Sequence, residues 1–158
     1  VDLKSFSDRT SRNVCGATLA PVLETIRAMR ELGIWVEVTT LLIPGVNDGN
    51  EELTALAGWL ASVDREMPWH VSAFFPAYKM LDVPPTPADT LHRAALIGRK
   101  AGLRYVYTGN RPGDPWENTT CPECGLRLIH RRGFAMLANG LVGGRCPACG
   151  TPIAGVWG

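Results

Sequence analysis

Two near-identical pentapeptides, Cys121-Pro122-Glu123-Cys124-Gly125 and Cys146-Pro147-Ala148-Cys149-Gly150, carry four of the five cysteines of this chain. Each pair offers two thiolates to one ion, and the two pairs can meet across a folded loop. Four soft sulfur ligands in a tetrahedral set select zinc, with iron as the rarer choice. A glycine follows each second cysteine, where the chain must turn tightly for backbone N–H groups to point at the sulfurs. Secreted disulfide scaffolds are small and cysteine-dense, and a chain of 158 residues with five cysteines is neither. Cys121, Cys124, Cys146 and Cys149 therefore read as metal ligands in a reducing compartment, which implies a cytoplasmic protein. A second set of polar residues lies at strand spacing: Asp2 with Lys4, Glu37 with Thr39, and His70 with Ser72.

These groups need elements to position them. Residues 1–6 alternate and read as a strand, and residues 7–16 are polar and turn-rich. Leu19, Val22, Leu23, Ile26, Met29 and Leu32 recur at helical spacing, and Gly33 stops that helix. Residues 34–43 are rich in β-branched and apolar side chains and form a second strand, ended by Pro44-Gly45. Asn50 is placed to cap a helix with Leu53, Leu56, Ala57, Leu60 and Val63 on one side. Residues 69–75 form a third strand. Thr86-Pro87-Ala88-Asp89 reads as a helix start, with Thr86 as the cap and Pro87 at the first helical position. That helix ends at Gly102, and residues 104–107 form a fourth strand. The division that follows is residues 1–109 as one α/β unit, 110–118 as a linker with two prolines and a glycine, and 119–158 as the metal module.

Strands alternating with amphipathic helices imply parallel pairing and right-handed crossovers. Strand side chains alternate between faces, which opposes the polar pairs to Leu3, to Val36, Val38 and Leu42, and to Val71, Ala73 and Phe75. A doubly wound sheet is apolar on both faces, so one polar face fits better with the inside of a barrel. Charged groups there are costly unless paired or bound to something. A polar ligand site is expected, rimmed by the loops after the strands.

The sequence resembles the radical S-adenosylmethionine (SAM) enzymes of the pyruvate formate-lyase activating type, most of all the radical SAM component of the AmmeMemoRadiSam system. The resemblance rests on Asp2-Leu3-Lys4, on residues 35–48 (Trp35 to Asp48), and on Trp69-His70-Val71-Ser72 with Phe75-Pro76. Residues 14–17, 78–87 and 105–110 and the terminal pair of Cys-Pro-x-Cys-Gly knuckles extend it over essentially the whole chain. It implies a fold: the C-terminal half of a partial (β/α)6 barrel, followed by a small zinc-ribbon-like module. It implies that Asp2 and Lys4 lie at the amino-acid end of SAM, that Ile43, Gly45 and Asp48 hold the adenine, and that the face of Glu37, Thr39, His70 and Ser72 looks toward the cofactor. Substrate contacts would come from Tyr78, Lys79 and Asn110. The implied chemistry is reductive cleavage of SAM by a [4Fe–4S] cluster and hydrogen abstraction by a 5′-deoxyadenosyl radical. The electron donor would be a flavodoxin or ferredoxin, and the other proteins of the AmmeMemoRadiSam system would be partners. Two positions depart from the pattern: Thr39-Thr40 and Ala73 stand where related enzymes carry arginines. The Cys-x-x-x-Cys-x-x-Cys run that holds the cluster is not in this sequence, and Cys15 stands alone. The chain therefore reads as a fragment whose N-terminal part is missing, inactive by itself and poorly soluble because of an open sheet edge.

Two other readings of the module stay open. Arg127, His130, Arg131, Arg132 and Arg145 make it mildly basic, as in a zinc ribbon that binds nucleic acid or a partner protein. The net charge of +1 and the scarcity of aromatics, Phe134 and Trp157, speak against nucleic acid. A rubredoxin-like iron site for electron transfer is the other. The hairpins have little core of their own, with Leu126, Leu128, Ile129, Phe134 and Leu137 as candidates, so metal binding supplies much of their folding energy. No run approaches the roughly 18 apolar residues of a membrane helix.

Overall fold

The computed structural model describes residues 1–157. It contains two three-stranded sheets. The first is parallel, ordered β1 (Val38–Leu42), β2 (Trp69–Ala73), β3 (Val106–Gly109). Val38 pairs with Trp69, and Trp69 with Val106, so chain order and spatial order coincide. Three helices accompany it: α2 (Leu19–Glu31), α3 (Asn50–Val63) and α4 (Ala88–Ala101). The second sheet is antiparallel, ordered β4 (Thr119–Thr120), β5 (Arg127–Arg132), β6 (Ala135–Asn139).

The apolar stripes read from the sequence meet in one core. Val38, Leu42, Trp69, Val71 and Ala73 from the parallel strands are buried against Ile26 of α2, Leu53, Leu56 and Leu60 of α3 and Leu91, Ala94 and Ala95 of α4. Gly98 lets α4 approach closely: a Cβ there would lie 2.8 Å from the Trp69 ring and 2.9 Å from Val106. Trp69 donates from Nε1 to Thr40 Oγ1 at 2.9 Å, and Thr40 donates to the carbonyl of Leu3 at 2.9 Å.

Several local expectations are corrected. Residues 1–6 form a single parallel bridge, Asp2 with Thr39, instead of a strand. Beyond it the backbone turns to side chains: the Lys4 carbonyl accepts from Asn47 Nδ2 and the Phe6 N–H donates to Glu52. Residues 7–16 are helical, a turn of helix α1 (Asp8–Thr10) running into a π-helical turn at Ser11–Cys15, closed by Gly16 at φ 67°. Asp8 makes this possible, since its carboxylate takes both the Arg12 guanidinium and the Leu19 N–H.

The cap of α3 is Gly49, with Asn50 already in the helix. The cap of α4 is Pro87, one residue later than expected. Thr86 is buried instead: its hydroxyl donates to the Leu42 carbonyl and accepts the Phe74 N–H, joining the ends of β1 and β2. Phe75, expected on the apolar face, is exposed. β1 and β2 are shorter than expected, and the last strand is Val106–Gly109, two residues later than the expected 104–107, because the bounds follow the residues that pair with β2.

Candidate functional site

In the second sheet's module each knuckle closes the same way. The Gly125 N–H donates to the Cys121 carbonyl at 3.0 Å, and the Gly150 N–H to the Cys146 carbonyl at 2.9 Å. Both glycines are left-handed, at φ 75° and 74°. The next residues, Leu126 and Thr151, present their N–H groups to the second sulfur of each knuckle. The repeated sequence thus builds two superposable half-sites.

The four ligand atoms lie within 4.8 Å of one another. Cys121 and Cys149 sulfurs are 3.6 Å apart, as are those of Cys124 and Cys146. One ion with metal–sulfur bonds near 2.3 Å in a tetrahedron sets its sulfurs about 3.8 Å apart. The set therefore fits one ion. It does not fit a four-iron cluster, in which each thiolate binds a different iron.

Without a cation the four thiols cannot all ionise. The Thr151 hydroxyl, 3.2 Å away, and the Thr151 N–H pull Cys149 down to about 6. The Leu126 N–H favours a Cys124 thiolate, but desolvation and the three neighbouring sulfurs prevail and push it up to about 12. A divalent cation removes that conflict, because the ligand form of each cysteine is the thiolate.

Cys121 and Cys146 are buried in a second core with Tyr105, Leu128, Ile129 and Ile153. The expected core residues Leu126, Phe134 and Leu137 are exposed. Their places are taken by Tyr105, just before β3, and by Ile153, neither of which a local reading of the hairpins reaches. Tyr105 Oη accepts the Ala154 N–H at 3.1 Å.

Between this module and the polar face of the parallel sheet runs a cleft of about 870 Å3. Glu37, Thr39, His70, Ser72 and Asn110 all line it. His70 Nε2 lies 2.7 Å from Glu37 Oε2, and Trp35 Nε1 donates to Glu37 Oε1 at 3.0 Å. The His70 ring stacks on Tyr107, its register partner on β3, at 5.2 Å. The hydrogen bond with His70, aided by Trp35, draws the Glu37 carboxyl down to about 2.

A depressed folded-state pKa stabilises the fold above the ordinary carboxylate value near 4.5, and that stabilisation fades as pH falls toward about 2. Glu37 is half exposed, so solvent screens the interaction and keeps it small. Wild type is expected to lose its stability advantage over Glu37→Gln between those two values in acid unfolding titrations. An advantage unchanged at pH 2 would contradict this assignment.

The other expected residues lie elsewhere. Asp2 and Lys4 form an exposed ion pair at 2.8 Å, beside the cleft and not among its lining residues. Ile43, Gly45 and Asp48 form the turn after β1: the Ile43 N–H donates to Asn47 Oδ1 at 2.7 Å and the Gly45 N–H to Asp48 Oδ1 at 2.8 Å. Asn47, buried, ties this turn to Lys4 and Leu41 by donating to both carbonyls. Tyr78 and Lys79 are exposed on a loop, with the ammonium 5.3 Å from the tyrosine ring, and do not line the cleft with Asn110. Asn110 is held by a hydrogen bond to the Ala73 carbonyl. Tyr107, Arg131 and Trp157 also line the cleft, a place the sequence reading does not give them. Extending the strand alternation to residues 105–107 would have put Tyr107 on the polar face.

No family model matches the chain. A protein of Methanocaldococcus jannaschii described as uncharacterized is 46% identical over 156 residues, which is 97% of this chain and 46% of that protein. The chain thus spans about half the length of the curated relative it matches. Among solved structures, a domain of pyruvate-formate lyase-activating enzyme from Bacteroides vulgatus superposes with a TM-score of 0.61 at 21% identity, covering 69% of this chain and 65% of that one. The α/β fold is therefore of the kind found in that domain. Among the described residues no helix is long and apolar enough to cross a membrane.

Proposed function

We propose that this chain is the SAM-facing, C-terminal half of a radical SAM enzyme of the activating type, related to the radical SAM component of the AmmeMemoRadiSam system, and that its four cysteines hold a structural zinc ion. The observation that carries the reading is the polar face of the parallel sheet. Glu37, Thr39, His70 and Ser72 converge on one cleft, on an α/β fold like that of an activating-enzyme domain. A partial barrel, with the other strands beyond Asp2 and its neighbours, would make that face its lumen.

Bound SAM would supply hydrogen-abstraction chemistry once cleaved by an electron from a [4Fe–4S] cluster and a flavodoxin or ferredoxin. The cysteines present fit one ion and not that cluster. This chain's own part is binding and orientation. The turn at residues 43–48, braced by Asn47, offers the adenine a rigid edge, and Asp2 and Lys4 offer complementary charges to an amino acid group. Zinc is preferred over iron because a closed all-thiolate site that staples a short module is a common use of zinc.

Two measurements test the reading. Titration of S-adenosylhomocysteine should shift the NMR resonances of residues 43–48 and of Thr39 and His70; no shift there overturns it. Anaerobic reconstitution with iron and sulfide should yield no EPR-visible [4Fe–4S] centre on these 158 residues, and a stoichiometric centre overturns the division of labour. A red protein with thiolate–iron absorption bands would replace zinc by a rubredoxin-like iron.

A further inference from the structure

The cleft has two unlike walls. One is the sheet face just described. The other belongs to the four-cysteine module, which contributes Arg131, Phe134 and Trp157. Their charges differ too. At the sheet end, the Glu37 carboxylate is engaged by His70 and Trp35. At the module end, Arg111 and Arg131 line the cleft, and neither has a carboxylate within 4 Å among the described residues. The acid beside them, Glu117, is occupied by the N–H groups of Gly113 and Gly133.

Arg131 is held in place before any ligand arrives. Its Nη1 donates to Thr119 Oγ1 at 2.7 Å, and its guanidinium lies 5.6 Å from the Tyr107 ring centroid. Tyr107 Oη is itself 3.0 Å from Thr119 Oγ1. Nε and Nη2 make no hydrogen bond with the described residues, which leaves donors of a planar fork free on a half-buried cation. A guanidinium in that state matches a carboxylate or phosphate. Holding it rigid lowers the ordering cost of binding.

We propose that the cleft takes a substrate bearing a carboxylate or phosphate, with Arg131 gripping the anion and Arg111 at its mouth, so that the metal module sets substrate specificity while the sheet face carries the reacting end. The assignment of the reacting end rests on the reading of that face as the cofactor side. Arg131 sits on β5, whose Leu128 and Ile129 pack on Cys121 and Cys146, so the anion site also depends on the metal.

The test titrates inorganic phosphate into the metal-loaded chain and follows the Arg131 Nε–Hε, Tyr107 and His70 ring resonances. Saturable shifts are expected, weakened at least tenfold in Arg131→Gln, partly restored in Arg131→Lys, and unchanged in Arg127→Gln, which alters an exposed arginine of the same strand. Equal affinity in Arg131→Gln, or shifts spread evenly over the module's arginines, would overturn the proposal. S-adenosylhomocysteine titrated into the same variants separates the two sources of a carboxylate. If Arg131→Gln weakens it as much as phosphate, Arg131 holds the nucleoside's own carboxylate and the substrate assignment is wrong. If the nucleoside fails to bind while phosphate still reports on Arg131, the anion site stands and the SAM reading fails.

Discussion

Replacing Cys146 by serine unfolds the four-cysteine module and leaves the helix-covered parallel sheet folded but less stable. The module has little else to hold it. Its core is Tyr105, Leu128, Ile129 and Ile153 with the two buried cysteines, and β6 is exposed along its whole length. Structural zinc contributes an apparent ~10–16 kcal/mol in small zinc-finger peptides, an amount that such a core cannot replace. A hydroxyl in place of one thiolate leaves three sulfurs around the ion and one neutral oxygen, a much weaker ligand set. The expected readouts are loss of stoichiometric metal, collapse of the amide dispersion of residues 119–157, and proteolysis confined to that segment. A chelator should reproduce all three in wild type. Cys15→Ser serves as the control, since Cys15 is exposed and outside the cluster. A chelated chain that kept a protected β5–β6 hairpin would show that packing, not metal, folds the module.

The second large effect is expected at Trp69→Ala. The ring is wholly buried between the sheet and α4, and removing a buried tryptophan typically costs about 3–5 kcal/mol. Its Nε1 bond to Thr40 is lost as well, while Thr40 keeps its own bond to the Leu3 carbonyl. Urea unfolding followed by far-UV circular dichroism measures this directly; a loss below about 1 kcal/mol would mean that the site collapses and that the ring is not the keystone of the core.

Gly98→Ala sharpens the test. In wild type the new methyl group would sit 2.8 Å from the Trp69 ring, and overpacking of this kind costs about 1–3 kcal/mol. In the Trp69→Ala background the ring is gone and the Val106 methyl, 2.9 Å from the new Cβ, can shift into the vacated space, so the same substitution should cost clearly less than in wild type. The two changes should therefore be strongly non-additive.

What the sequence made readable is what depends on local period and on local chemistry. The parallel order, the helices on the apolar stripes and the left-handed glycines after α2 and α4 follow from repeats of two and of 3.6 residues and from glycine's free φ. The four ligands were readable because Cys-x-x-Cys spacing is itself the geometry of a half-site. What was not readable depends on partners far along the chain. Thr86 looked like a cap because its immediate neighbours fit one, yet the Leu42 carbonyl, 44 residues away, claims its hydroxyl. The turn-rich residues 7–16 are a different case: their helical turns close on local partners of Asp8, namely Arg12 and the Leu19 N–H, which composition alone does not single out. Arg131 and Trp157 could not be placed on the cleft at all until the module was docked.

Tyr105, Val106 and Tyr107 point alternately into different cores: Val106 toward α4 and Trp69, the tyrosines toward the four-cysteine module. One stretch of backbone thereby serves as the shared wall of two rooms. The module cannot be exchanged between proteins like a tail, because cutting after residue 109 would strip a wall that the remaining half still carries. Any protein that acquired this module would need a matching β3 at the same time, and any ligand that pushes on that strand pushes on the four-cysteine site.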